Sequence, residues 1–302
     1  MDTATQVVTP ARQHPLEQDR PRLTPGRLIG NLPYYVVLGL WAALTIFILL
    51  WLFSGSLKSN VEIFGSPWAL PKNPSADGAK NYSAAWTTAH MSIYFVNSVL
   101  VTSVSVVITV AISAPAAYVL SRIPFRGSTL INYYFIAGMG LPFQLILVPL
   151  YVLLVQIGLI DTRAGLTLTY VGVSIPFTII LLTGFFRSLP SELEEAGAVD
   201  GCSELGIFWR IMMPIATPGL FTAAIFNFVM IWQEFLLAQL LLSSDGNKTL
   251  PVGLMGLRQT MQYNSNWAAM FAAVMIIVVP SFIVFVALSN RIMAGLTLGA
   301  GK

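Results

Sequence analysis

One polar segment between two apolar runs concentrates acids and bases that could bind a partner. It contains seven charged residues: Arg187, Glu192, Glu194, Glu195, Asp200, Glu204 and Arg210. Pro190 suits the first turn of a helix, where its missing N–H is not needed, and Gly201 is a natural stop. The three clustered glutamates would lie at the end where the helix dipole favours negative charge. The segment therefore predicts a short helix outside lipid, capped by Ser188 or Ser191.

One face of this predicted helix combines small side chains with an acid. Leu193, Ala196, Gly197 and Asp200 recur at i, i+3, i+4 and i+7, so they share one side of the helix. Such a smooth surface could enter a cleft of a partner protein. The alternative is an ordinary solvated loop helix with an acidic start.

A second candidate site lies within an apolar run. Glu234 is the only ionisable side chain there, and a carboxylate at membrane depth is costly enough to need a reason. It could belong to a gate or a translocation path, with Gln233 beside it and Asn227 seven residues earlier on the same helical face. The interpretation we favour places Glu234 near the outer interface, hydrogen-bonded to Gln233 or to a neighbouring helix. Asn227 could equally join two helices.

The other reactive side chains form no catalytic or metal-binding pattern. Cys202 is the single cysteine, which excludes an internal disulfide and indicates a small packing residue. His14 and His90 have no nucleophile or metal partner nearby. No phosphate-binding G-x-x-x-x-G-K-[ST] loop occurs, so this chain is not itself an ATPase. Four tryptophans near helix ends predict interface anchors rather than platforms for sugar stacking. They are Trp68, Trp86, Trp232 and Trp267.

The composition places these candidate sites in a membrane protein. The chain has 302 residues, 56% apolar and 10% charged, with a mean hydropathy of +0.74, whereas soluble domains have about 25% charged residues. Uncharged runs of about 20 residues can cross the hydrocarbon as helices. Six spans are predicted, at about 33–53, 93–120, 130–155, 164–186, 218–242 and 267–289. Glycines and prolines predict a kink in the third span. They are Gly138, Gly140, Pro142 and Pro149.

The remaining segments predict a domain organisation and an orientation. Residues 1–31 predict a flexible cytoplasmic tail, 32–92 the first span and an external loop, 93–290 the transmembrane core, and 291–302 a cytoplasmic tail. With both termini in the cytoplasm, ten Lys or Arg lie inside and six outside, as the positive-inside rule favours. These residues are scattered among loops, which argues against nucleic-acid binding.

The cytoplasmic loop at 188–214 resembles the EAA loop of binding-protein-dependent ABC importers. That loop has the pattern EAA, with Gly at its seventh position, Ile at its seventeenth and Pro at its twentieth. The matching residues are Glu195, Ala196, Gly197, Gly201, Ile211 and Pro214. Gly197 replaces the usual second Ala, which lowers helix propensity by about 1 kcal/mol and predicts a modestly looser helix. Asp200 is the usual companion of Gly201.

Further landmarks resemble the carbohydrate-uptake branch of this family, in particular the partner permease of the maltose type. In chain order they are Asn81-Tyr82, Asn97-Ser98, Pro149-Leu150-Tyr151, the GLIDT run at 158–162, Pro176-Phe177, the WQEF run at 232–235 and the ending at 295–302. The terminal Val of the family's ending is absent here.

The resemblance implies an all-α, polytopic membrane protein with the transmembrane fold of type I ABC importers. It implies a permease for a sugar in the bacterial cytoplasmic membrane, paired with a second permease and served by an external solute-binding protein, commonly a lipoprotein. Two ATPase subunits would bind ATP and Mg, while this chain would bind no cofactor. Glu194, Glu195 and their neighbours would pair with basic groups in the ATPase cleft, and Gly201 would let the chain turn back toward the fifth span.

Two alternatives stay open. An importer of glycerol phosphate or another polyol would want additional cationic groups on the path, and no cationic group lies inside a predicted span. An intramembrane enzyme acting on lipid-linked sugar would need acids, His or Ser pairs in the spans, which apart from Glu234 lack them.

Overall fold

A computed structural model describes residues 31–140, 142–260 and 266–299, in which all regular structure is helical. The α-helices are α1 (Leu32–Ser56), α2 (Asn60–Gly65), α3 (Pro74–Ser83), α4 (Met91–Arg122), α5 (Ser128–Gly140), α6 (Leu147–Gln156), α7 (Arg163–Ser188), α8 (Glu192–Val199), α9 (Glu204–Ile207), α10 (Met213–Ile215), α11 (Thr217–Trp232), α12 (Leu236–Leu241), α13 (Leu250–Thr260) and α14 (Trp267–Gly299). The predicted N-terminal tail, apart from Asn31, and residues 300–302 of the predicted C-terminal tail lie outside the described residues.

The chain divides into two compact units between Leu50 and Trp51. The described part of the first unit is mainly the start of α1, which has no charged residue and leaves nearly all its side chains exposed. An apolar helix of this kind is the form that a chain adopts in lipid, because its backbone groups pair within the helix. The second unit contains all the other helices.

The described ranges contain four helices that could cross a membrane, and the count rises to six if each of two bent helix pairs forms one span. Four helices, α1, α4, α7 and α14, are long and apolar enough to span a bilayer. Two bent helix pairs are the further candidates: α5 and the helix after it meet at 91°, and residues 204–215 meet α11 at 69°. The predicted kink in the third span is therefore confirmed.

The structure has helical features in three places that the sequence did not predict. The fifth span at 218–242 is two helices, because α11 ends at Trp232 and α12 begins at Leu236. The polar loop at 54–92 contains α2, α3 and a π-helical turn, Ala84–Thr88. The start of α2 was readable from sequence, since Ser59 and Glu62 form a reciprocal capping box. Finally, α14 continues past the predicted end of the sixth span, through most of the predicted tail, to Gly299.

The core of the second unit forms where α4, α7 and α11 pack together. The buried face of α4 has small polar residues, among them Ser105, Thr109 and Ser113, each fully buried. Small side chains let helix backbones approach closely, which is how helices associate in lipid. Larger apolar residues of all three helices fill one cluster near the 188–214 loop, and a second cluster occupies the other half of the bundle.

At the end of the bundle away from the 188–214 loop, Asp161 binds the segment that follows α12. Its carboxylate accepts hydrogen bonds from the backbone N–H groups of Ser243, at 2.8 Å, and Ser244, at 3.0 Å, and from the Ser244 hydroxyl. Its own N–H donates to the Leu241 carbonyl at 2.9 Å. The Ser244 hydroxyl, and then its N–H, are the main groups that lower the pKa of Asp161.

Asn97 and Ser98 of α4 hold the next part of the same segment. The Asn97 amide donates to the carbonyls of Gly246, at 2.9 Å, and Lys248, at 3.0 Å. The Ser98 hydroxyl accepts from the N–H of Leu250 at 2.8 Å. Asp161, Asn97 and Ser98, here called the outer clasp, thus fix residues 243–250. All three belong to landmarks of the family resemblance, Asn97-Ser98 and the GLIDT run.

The lowered pKa of Asp161 predicts that the outer clasp weakens only in strong acid. A carboxylate with a lowered folded-state pKa contributes fully above its ordinary pKa of about 3.9, and the contribution is lost as pH falls through the lowered value. We expect the amides of Ser243 and Ser244 to keep constant protection against hydrogen exchange from about pH 8 down to about pH 5, after correction for intrinsic rates. Asp161→Asn should lower the protection at every pH. Protection that already declines in that range in the unmodified protein would contradict this assignment.

Candidate coupling site and polar sites of the fifth span

The predicted helix of the 188–214 loop, here called the coupling loop, is confirmed as α8. Its first turn contains Glu192, Glu194 and Glu195, as the helix dipole favours. Neither predicted cap is used: the Ser188 hydroxyl donates to the Phe185 carbonyl at 2.7 Å, and Ser191 makes no side-chain cap. The first turn of α8 is therefore favoured by its three acids and not by a side-chain cap.

The end of α8 is fixed by Gly201, as predicted. Gly201 has a φ of +79°, in the left-handed region that favours glycine. Its N–H donates to the Ala198 carbonyl, and the N–H of Cys202 donates to the Gly197 carbonyl, both at 3.0 Å. These two bonds form a Schellman motif, which pairs carbonyls that the helix end would leave free. Cys202 packs, half-buried, beside the apolar cluster under the loop, as predicted.

Gly197 faces the protein's own core, so the sequence-based assignment of its face to a partner is wrong at this residue. It is buried, and a Cβ there would lie 2.5 Å from Cδ1 of Ile211 and 3.2 Å from Cγ1 of Ile207. Leu193 on the same side is half-buried. The glycine therefore permits close packing of α8 on the returning chain, a role that its low helix propensity did not predict.

Arg122, the last residue of α4, ties the start of the coupling loop to the membrane helices. Its guanidinium donates to the carbonyls of Phe186, at 2.7 Å, and Leu189, and lies 3.5 Å from the carboxylate of Glu194. Both side chains of the ion pair are mostly buried, at 12% and 21% exposure. Glu194, predicted to face the ATPase, is thus occupied within this chain. From the sequence, Arg122 had no predicted role beyond its charge.

The outward side of α8 is formed by other residues that were predicted to contact the ATPase. Glu195, Ala196 and Asp200 are exposed, and Val199 is 87% exposed. Glu195 makes no ion pair or side-chain hydrogen bond with any residue that the structure describes. The coupling loop therefore presents acids and an apolar side chain outward. On its inner side, Glu194 and Gly197 contact the rest of the protein.

The second half of the coupling loop runs back to the bundle through Ile211 and Pro214. The segment Phe208–Met212 is a π-helical turn, in which the N–H of Met213 reaches the Phe208 carbonyl. Pro214 cannot donate to the carbonyl of Arg210, so the regular ladder is interrupted at this point. The chain then bends into α11. Ile211 is half-buried and contacts Gly197, so two predicted positions of the motif meet.

Asn227 joins two helices. Its side chain is 3% exposed, and its amide donates at 2.9 Å to the Thr178 hydroxyl of α7 and to the Ala223 carbonyl of its own helix. A link between two helices was one of the two roles that the sequence left equally open for Asn227, the other being part of a translocation path. The expected common helical face of Asn227 and Glu234 does not exist, because α11 ends between them.

Glu234 lies at the break between α11 and α12. One oxygen, Oε1, accepts from the N–H of Leu237 at 2.8 Å; the other accepts from the N–H of Ala238 at 3.2 Å and from the hydroxyl of Tyr170, in α7, at 2.7 Å. The carboxylate therefore caps α12 and binds a neighbouring helix, as the favoured interpretation expected, although its partner is Tyr170. Gln233 is exposed.

The tryptophan before this break is a core residue. Trp232 is buried, stacks on Phe228 at 5.5 Å, and donates from its indole nitrogen to the Ile277 carbonyl at 3.0 Å. Its predicted role as an interface anchor is wrong.

Among the described residues, no three His, Cys, Asp or Glu side chains come together as metal ligands would.

Comparison with known proteins identifies the family. Residues 108–295, most of the chain, match the family of "binding-protein-dependent transport system inner membrane component" proteins. The chain belongs to this family. It is therefore the membrane-embedded permease component of an ABC transporter that depends on a binding protein.

Two relatives agree with this membership, and one solved structure has the same fold. The permease is 38% identical over 265 residues to the diacetylchitobiose uptake system permease protein of Streptomyces coelicolor, covering 88% of this chain and 87% of the relative. It is 37% identical over 290 residues to a probable ABC transporter permease of Bacillus subtilis, covering 96% and 94%. A crystal structure of a bacterial ABC transporter involved in alginate import shares the fold, with a TM-score of 0.73 at 23% identity, covering 91% of this chain and 99% of that one.

The adjacent glutamates of α8 give a matched test of the coupling-loop geometry. Glu194→Gln removes the charge that faces Arg122 and should lower the free energy of unfolding by about 1 kcal/mol. Glu195→Gln should change it by less than about 0.5 kcal/mol, because this side chain is exposed. Thermal unfolding of the permease chain purified in detergent without ATPase subunits measures both. Equal losses in the two variants would show that Arg122 does not distinguish them.

Proposed function

We propose that this permease moves a sugar across the bacterial cytoplasmic membrane by alternating access, and that α8 is its contact with an ATPase subunit. The observation that most supports the contact is the outward side of α8, whose acids and Val199 are left exposed by the part of the chain that the structure describes, while its inner side is packed on Ile207 and Ile211. Diacetylchitobiose, named for a relative that aligns along most of both chains, supports a sugar as the solute.

The exposed surface of the coupling loop suits a protein partner. Beyond Val199, Leu205 is 70% exposed and Trp209 57% exposed, on the part of the chain that returns to the membrane. Neighbouring apolar side chains in water are a common mark of a protein interface. Glu192 and Glu195 beside them would pair with basic groups at the rim of the ATPase cleft.

The proposed orientation places the coupling loop in the cytoplasm. Arg122 and Arg187 lie at the coupling end of the bundle. At the outer clasp, Arg163 donates to the Asn97 side chain, whose amide donates to the backbone carbonyl of Lys248. This arrangement supports the grouping of charges on which the positive-inside argument depends. Both termini would then be cytoplasmic, and the outer clasp would face the external binding protein.

In the complete transporter, this chain would pair with a second permease. Two ATPase subunits would bind ATP and Mg, so that this permease performs no hydrolysis itself. Closure of the ATPase dimer would move α8 and open the bundle outward to accept sugar, and hydrolysis would return it to the inward state. Recognition of the particular sugar would be shared with the second permease and the external protein.

Two substitutions in the coupling loop, one in α8 and one just after it, test the coupling role. Glu195→Lys reverses an exposed charge, and Gly201→Pro cannot adopt the positive φ of the helix end. Both should lower the amount of sugar imported per ATP hydrolysed several-fold in proteoliposomes, while the protein still inserts into the membrane. Lys80→Glu, an exposed charge reversal in α3, is the control. Normal transport by both α8 variants would exclude the coupling role.

The solute class is tested by the external protein of the same system. Calorimetric titration of the purified binding protein against mono-, di- and oligosaccharides, polyols and glycerol phosphate should show tight binding only among sugars. Preference for glycerol phosphate or a simple polyol would replace the proposed substrate and leave the coupling role untouched.

A further inference from the structure

The helix α7 joins the two ends of the permease, as the longer α4 does. Helix α7 has 26 residues, which corresponds to a length of about 39 Å. It starts two residues after Asp161 of the outer clasp and ends at Ser188, where the coupling loop begins. Pro176 lies within it without ending the helix. A displacement applied to one end of α7 is therefore carried to the other by a single continuous element.

The coupling end of α7 is bonded to α8 through Arg122. The guanidinium reaches the carbonyls of Phe186 and Leu189, on either side of the end of α7, and the carboxylate of Glu194 in α8. Aromatic packing of Tyr118 against Phe186, with ring centroids 5.6 Å apart, adds contact at the same level. Movement of α8 is thus tied to the end of α7 by a charged group and by packed rings.

At the other end, α12 is bonded to the α7 region at both of its own ends. Tyr170 reaches Glu234 at the start of α12, and the N–H of Asp161 reaches the Leu241 carbonyl at its finish. Residues 243–250 then follow within the outer clasp. By contrast, α12 is separated from α11 by the break at 233–235, where the helical backbone is interrupted.

We propose that Tyr170 and Glu234 are positioning residues, which make α12 and the outer loop at 243–250 move with α7 rather than with α11. This inference rests on the proposed function, since it assigns the route by which displacement of α8 reaches the outer face. The break at 233–235 is then the joint that lets α11 move separately. Neither residue needs to touch the sugar for this role.

The bonding pattern suits this role because the carboxylate does two separable jobs. The N–H groups of Leu237 and Ala238 hold Glu234 as the cap of α12, and the Tyr170 hydroxyl adds the link to α7. Removing the hydroxyl leaves the cap in place. A hydrogen bond to a carboxylate, in surroundings with little water, is stronger than one between neutral groups. Its loss should therefore shift the equilibrium between α12 held on α7 and α12 released from it about tenfold.

The experiment compares Tyr170→Phe with the unmodified permease in the reconstituted transporter with its ATPase, second permease and binding protein. We expect the sugar imported per ATP hydrolysed to fall several-fold, with basal ATPase activity and membrane insertion retained. Tyr35→Phe, which removes the hydroxyl of an exposed tyrosine in α1, is the matched control and should leave the ratio unchanged. Glu234→Gln should also lower the ratio, and the double variant should be no worse than the more affected single variant, because both remove the same link.

The ratio separates this role from a purely structural one. Loss of folded protein lowers transport and ATP hydrolysis in proportion, so the ratio stays constant, and that result for Tyr170→Phe would overturn the inference. Additive losses in the double variant would likewise overturn it. Failure of the unmodified complex to couple sugar uptake to ATP hydrolysis would instead reject the proposed function.

Discussion

Every backbone polar group within lipid must find a partner inside the protein, and the shape of this permease follows from that constraint. Unbroken helices meet it through their own ladders, which is why α4 and α7 run the full width of the bundle. The fifth span is broken at residues 233–235, so the first N–H groups of α12 have no acceptor within a helix, and a carboxylate accepts from them instead. Glu234 takes the first free N–H groups of α12, so the break costs less than an uncapped helix end would.

The two ends of the bundle are built on different chemistry. The coupling end joins one guanidinium to two carbonyls and a carboxylate, around a core of aromatic rings. The outer end relies on neutral amides and hydroxyls together with Asp161, which bind backbone groups of a loop. A guanidinium suits a site that must hold a moving partner at several points, whereas dense backbone bonding suits a loop that must keep its shape.

Features set by neighbouring residues could be predicted from the sequence, whereas features set by distant ones could not. The helix α8 and its stop at Gly201 follow from local preferences, and the structure has both. The inner face of α8 depends on Ile207 and Ile211, which return to it only because of the π-helical turn and the bend after it. The partner of Glu234 is 64 positions away along the chain, and nothing near Tyr170 in the sequence marks it as that partner. Proline and glycine marked the kink in the third span, but the end of α11 had no such signal.

The exposure of Val199, Leu205 and Trp209 has a consequence for the biogenesis of the transporter. These side chains are exposed on the coupling loop, which is proposed to lie in the cytoplasm. A newly inserted copy without its partner presents them to water, where they favour adhesion to any other apolar surface. Synthesis of this permease in excess over the protein that covers α8 should therefore promote aggregation. Balanced production of the subunits keeps these side chains covered.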